Sequence, residues 1–231
     1  MAVGRGVTCR MDEPRTLLCF GDSNTWGYEP ATMARYPRRV RWPGVAAATL
    51  GAGWHVVEAG LCGRTTVFED PLGDLAGVRH LGPVLDSAAP VDVVVLALGT
   101  NDLKTRLSAS AYEIAEGAGL LVDRVLASDA GPGERAPGVL LVAPAPVVDV
   151  GGWSARDPDA FEGFEQGWRD AVERSGRFAA QFARVARVRG VPFLDAGLHV
   201  TSSPLDGIHW SAEGHAAFGR AVAAAVVERW G

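Results

Sequence analysis

The run VDVVVLALG, Val91–Gly99, is short, continuous and dominated by β-branched residues. A strand with one wet face alternates apolar and polar residues; a run without alternation is buried on both faces, as in the middle of a parallel sheet. Shorter apolar runs lie at Thr16–Gly21, His55–Gly60, Gly138–Ala143 and Pro192–Asp195. Helical periodicity separates them and predicts helices at Trp42–Leu50, Pro83–Ala89, Ala109–Ala127, Phe161–Val188 and Ala212–Trp230. Ser108 and Ser211 are available as N-caps, although Gly214 stands where a capping-box glutamate would follow Ser211. Strands alternating with helices predict an α/β fold, a three-layer α/β/α sandwich on a flavodoxin-like parallel sheet.

The chain has 231 residues and is 48% hydrophobic, enough for one sizeable core, so a single domain over residues 15–231 is expected. Residues 1–14 read as a flexible extension, or as a misassigned start ahead of Met11. A net charge of -5 without a basic cluster argues against nucleic acid and against an anionic membrane surface. No secretory leader and no long apolar span is readable, so a cytoplasmic protein with a small-molecule partner is expected. The cysteines, Cys9, Cys19 and Cys62, are odd in number and lack CxxC spacing, and read as reduced thiols. His55, His80 and His199 are scattered, and His215 lies six residues after His209, off the spacing of a helical metal site. Neither GxGxxG after the first strand nor a P-loop occurs, so no cofactor and no metal is expected.

In an open parallel sheet, ligands bind beyond the carboxyl ends of the strands. Asp22 and Ser23 follow the first run, Gly63 follows the second, Asn101 and Asp102 follow the third, and Asp206 and His209 follow the fifth. A serine hydroxyl needs a base to become a nucleophile, and a histidine base needs a carboxylate to hold its tautomer, so Ser23, His209 and Asp206 form a candidate triad. The Ser23 and Gly63 amides and the Asn101 side chain are candidate oxyanion donors. Each residue also has a plain structural use. Ser23 can cap a helix, Gly63 can serve a tight turn, Asn101–Asp102 and Asp206–Gly207 can form turns, and His209 can cap a loop. Four such coincidences at four strand ends favour chemistry. Cys62 beside Gly63 has no readable histidine partner and is expected to be a small packed thiol.

With those residues in hand, the sequence resembles the SGNH (GDSL-type) hydrolase superfamily, through FGDSNTWG with Ser23, GLCGRTT with Gly63, LGTND with Asn101, and DGIHWSAEGH with Asp206 and His209. Order and spacing agree from about Arg15 to Trp230, and the pattern is most similar to the bacterial arylesterase and acyltransferase members. Two departures are Asn24, where the family name expects leucine, and Glu58-Ala59-Gly60 in place of a glutamate–glycine pair. The resemblance implies a serine esterase acting on small-acyl aryl or alkyl esters through an acyl-enzyme, with water or an alcohol as acceptor. It implies that Asn24, Tyr28, Phe161 and Ile208 border the substrate cleft. It also implies a homo-oligomer, with Pro144–Asp159 and Trp153 as a contact segment. The alternatives are a carbohydrate O-deacetylase, kept open by seven tryptophans, and a non-catalytic ligand-binding module.

Overall fold

Five parallel strands, β1 (Arg15–Gly21), β2 (Trp54–Gly60), β3 (Val93–Ala97), β4 (Gly138–Ala143) and β5 (Phe193–Asp195), form a sheet in the order β2-β1-β3-β4-β5. This is the expected flavodoxin-like order, seen in a computed structural model that describes residues 13–150 and 167–231. The order reverses beside β1, and the crevice at that switch point lies beyond the carboxyl ends of β1 and β3. Register puts Gly21 opposite Gly60 on one side and Ala97 on the other, so the ends of three strands reach one rim together.

Strand side chains alternate between two cores. Leu18, Phe20, Val94 and Leu96 face a layer made by α3 (Gly77–Ala88), α4 (Ala111–Leu126), α5 (Ala171–Ser175) and α6 (Phe178–Arg189). Leu17, Cys19, Val93 and Val95 face α2 (Trp42–Leu50) and α7 (Ala212–Trp230), which pack on each other. Both faces of β1 and β3 are therefore dry, which is why their sequences read as unbroken apolar runs.

Helix boundaries differ from the sequence expectations in three places. The helix after β3 starts at Ser110, not Ser108: Ser110 accepts from the Glu113 amide while Glu113 accepts from the Ser110 amide, and Ser108 lies in the preceding turn. α3 begins six residues ahead of Pro83, because the amides of Gly77 and Val78 find the carbonyls of Thr65 and Thr66 in a distant loop. The expected helix over Phe161–Val188 is, among the described residues, two helices separated at Gly176–Arg177. Ser211 caps α7 without a capping box, accepting from the Gly214 amide at 3.2 Å.

Candidate active site

The chain leaves β1 at Gly21 and turns at once into α1 (Ser23–Trp26), with Asp22 as its N-cap accepting from the Asn24 amide at 3.0 Å. Ser23 is thus the first residue of a one-turn helix on the end of a central strand. Room for so abrupt a turn comes from Gly60 at the end of β2, where a Cβ would lie 2.1 Å from the Trp26 nitrogen. Across the crevice, Asp206 closes a loop by accepting from the amides of Ile208 and His209 at 3.0 and 2.9 Å. The same carboxylate meets His209 Nδ1 at 2.6 Å, and His209 Nε2 lies 2.9 Å from Ser23 Oγ. A carboxylate only accepts, so Nδ1 carries the proton and Nε2 presents its lone pair to the hydroxyl.

The electrostatics support that tautomer. Burial opposes ionisation of Asp206, but the His209 contact and the two loop amides together hold its carboxyl below the ordinary range. Asp22 behaves oppositely: burial raises it to about 6, against the pull of the Asn24 amide, His209 and Arg64. The Tyr28 ring packs on the imidazole, centroids 4.1 Å apart and tilted by 32°. Asn24 Nδ2 donates to the Ile208 carbonyl at 3.4 Å, joining the serine turn to the histidine loop. Both Asn24 and Ile208 are buried.

The Gly63 loop follows β2. Gly63 has φ +82°, and a Cβ there would lie 2.9 Å from Leu75 Cδ1, so glycine suits the turn on both counts. Two residues after β3 hold this loop. Asn101 Nδ2 donates to the Arg64 carbonyl at 3.2 Å, and Asp102 accepts from the Thr66 amide and hydroxyl. The buried Arg64 side chain donates to the Gly21 and Ala59 carbonyls and stacks on Phe20, and burial lowers its guanidinium to about 10 with Asp22 partly offsetting that. Through these contacts Ser23, Gly63 and Asn101 share one rim. Among the described residues, no hydrogen bond takes up the Ser23 or Gly63 amide.

The remaining expectations divide. Phe161 and Trp153 lie outside the described residues, as does Cys9. Cys62 is exposed rather than packed, lying in the turn that follows β2; partial burial and the nearby Asp22 raise its thiol. Cys19 is fully buried in β1. His215 lies inside the α2–α7 core between Tyr36 and Trp210, and burial lowers it to about 3, so it stays neutral. Among the described residues, no group of three His, Cys, Asp or Glu side chains is arranged to hold a metal ion. Motif spacing assigns no contact to Arg64 or Thr66, and it gives Asp102 only a place in a turn. A long cation directly after the glycine of a tight turn was the available signal for Arg64.

A hydroxyl, an imidazole and a carboxylate in line, at the switch point of a doubly wound sheet, define a serine ester hydrolase. Residues 19–217 match the GDSL-like lipase/acylhydrolase family, and the chain belongs to it. Among solved structures it is similar to Est24, a carbohydrate acetylesterase from Sinorhizobium meliloti, at 38% identity and TM-score 0.85 over 93% of this chain and 99% of that one. It is also similar to the native aryl esterase of M. smegmatis, at 35% identity and TM-score 0.84, again over 93% and 99%. A further carbohydrate acetylesterase family member from S. meliloti aligns at 34% identity and TM-score 0.85 over 93% and 98%. Comparison with curated proteins finds no match.

Proposed function

We propose that the protein hydrolyses small-acyl carboxylic esters through an acyl-enzyme on Ser23. The observation that carries this reading is the line Ser23 Oγ–His209 Nε2 at 2.9 Å and His209 Nδ1–Asp206 at 2.6 Å. Ser23 Oγ adds to the ester carbonyl as its proton passes to His209 Nε2. The oxygen that becomes negative is held by the Ser23 and Gly63 amides and the second N–H of Asn101 Nδ2. When the intermediate collapses, the C–O bond to the alcohol breaks and His209 returns the proton to the leaving oxygen. Water repeats the sequence and frees Ser23; an alcohol in its place gives transesterification. Asp206 holds the imidazole and stabilises its cationic form. Tyr28 on the imidazole, and the bond from Asn24 to the Ile208 carbonyl that joins the serine turn to the histidine loop, support a narrow cleft and a short acyl group.

A carbohydrate O-deacetylase is the second reading, favoured by the two carbohydrate acetylesterases among the similar structures. It uses the same steps on an acetylated sugar. The ratio of kcat/KM for a peracetylated sugar to that for p-nitrophenyl acetate separates the two. A homo-oligomer is also part of the proposal, on family resemblance; its mass by light scattering during chromatography tests it, and a monomer mass removes it.

The decisive experiment is stopped-flow hydrolysis of p-nitrophenyl acetate by the wild type and Ser23→Ala. A burst of nitrophenol with one acetyl added to the wild-type mass, both absent in Ser23→Ala, is the expected result. Unchanged turnover in Ser23→Ala would overturn it.

A further inference from the structure

Asp102 is the most conspicuous ionisable group that the reaction above leaves unused. Its side chain is fully buried, and among the described residues no cation is ion-paired with it. Burying a carboxylate without a cation is costly, and hydrogen bonds must offset it. Here those bonds go to one residue. Thr66 donates its amide to Asp102 Oδ1 and Oδ2 at 2.9 and 3.1 Å, and its hydroxyl to Oδ1 at 2.5 Å.

Thr66 is three residues after Gly63, and the neighbour of Asp102 is Asn101, which grips the Arg64 carbonyl at 3.2 Å. Two consecutive residues in the turn after β3 thus hold both Arg64 and Thr66, the segment that follows Gly63. The rest of the loop is also fixed by its backbone: Thr65 donates to the Leu75 carbonyl, and the Thr65 and Thr66 carbonyls receive the first amides of α3. Of these ties, the Asn101 bond joins one oxyanion donor directly to the residue after Gly63, and the Asp102 bonds join the next residue of the same turn to Thr66. The Gly63 amide and the Asn101 amide are thereby tied into one rigid unit.

Resting on the function proposed above, we infer that Asp102 is a positioning residue for the oxyanion donors, setting the Gly63 amide relative to Asn101 by gripping Thr66. The oxyanion exists only in the transition state and the tetrahedral intermediate, so loosening this grip weakens transition-state binding and leaves ground-state binding of the ester alone. Misplacing a reacting geometry by about 1 Å costs on the order of 10²-fold in rate, which bounds the effect.

The test compares wild type, Ser23→Ala, Asp102→Asn, Thr66→Val and Thr66→Ser with p-nitrophenyl acetate at pH 8, and measures inhibition by phenylboronic acid, whose adduct with the serine oxygen is tetrahedral and anionic. Asp102→Asn and Thr66→Val are expected to lose about 10-fold to 100-fold in kcat with KM unchanged, and to lose boronate affinity by a similar factor. Thr66→Ser, which keeps both donors, recovers most of what Thr66→Val loses. Combining Asp102→Asn with Thr66→Val costs little more than either alone, since both cut one link. Thr66→Val carries the test if Asp102→Asn does not fold. Turnover within 2-fold of wild type in both variants, or a lower kcat with unchanged boronate affinity, overturns the inference while the loss in Ser23→Ala leaves the proposed function standing. Full activity in Ser23→Ala removes both.

Discussion

Ser23, Asp206 and Tyr28 all meet the His209 ring, and each contact does something different. In the proposed reaction Ser23 supplies the proton that His209 takes, Asp206 fixes which nitrogen is free to take it, and the Tyr28 ring packs on the imidazole face. Asp206→Asn keeps the shape of the carboxylate, but its amide NH2 can face Nδ1 only if Nδ1 gives up its proton. Nε2 is then protonated and is useless as a base. The expected loss in kcat is ~10⁴-fold with the burst abolished, measured on p-nitrophenyl acetate; a loss under 10-fold would show that the loop amides alone orient the ring. The residues to which the proposed reaction gives chemical roles are legible in the sequence because such chemistry demands particular types after particular strands, and the fold brings Ser23, His209 and Asp206 into hydrogen-bonding contact. Thr66 and Asp102 are not legible in this way, because nothing in a threonine or an aspartate announces a partner 36 residues away.

At the scale of elements, the site depends on α1 fitting between β1 and β2. Gly60 is the contact point: its missing Cβ would meet the Trp26 nitrogen at 2.1 Å and the Thr25 carbonyl carbon at 2.6 Å. Both are backbone atoms, so no rotamer change relieves the clash. Gly60→Ala is expected to push α1 and with it Ser23 off the line to His209, lowering kcat/KM for p-nitrophenyl acetate by on the order of 10²-fold. Activity near wild type would show that the turn has slack. Strand positions are legible to within about two residues, most plainly for β1, β3 and β4, where burial on both faces leaves unbroken apolar runs; Gly138–Ala143 agrees end to end. Helix starts are less so. The first amides of α3 are satisfied by Thr65 and Thr66, a tertiary contact with no local trace, and the sequence pointed instead to Pro83, which sits inside the helix.

Over the whole molecule, buried carboxyls pull stability in opposite directions with pH. Asp70, its side chain almost wholly inaccessible, is held well below the carboxylate range by Arg106 first, against burial, with the Leu72 amide and Lys104 assisting. A folded value below the unfolded one means that this contribution is complete above the unfolded value of 3.8 and is lost as pH falls. Asp102 is raised by burial to about 7, with the Thr66 bonds opposing. Its contribution is complete below 3.8 and is lost as pH rises, the loss finishing above about 7. Asp22, raised to about 6, acts in the same sense. Urea unfolding of wild type and Asp102→Asn at pH 5 and pH 8 isolates the larger of these two. The stability of wild type relative to Asp102→Asn is expected to fall between pH 5 and pH 8, because wild type must ionise a buried carboxyl that the variant lacks. Asp70→Asn gives the mirror result, with its deficit against wild type shrinking as pH drops below about 4. A wild type–Asp102→Asn difference that is flat from pH 5 to pH 8 would mean that Asp102 ionises as readily inside the fold as in water, and the Thr66 bonds would then be strong enough to cancel its burial.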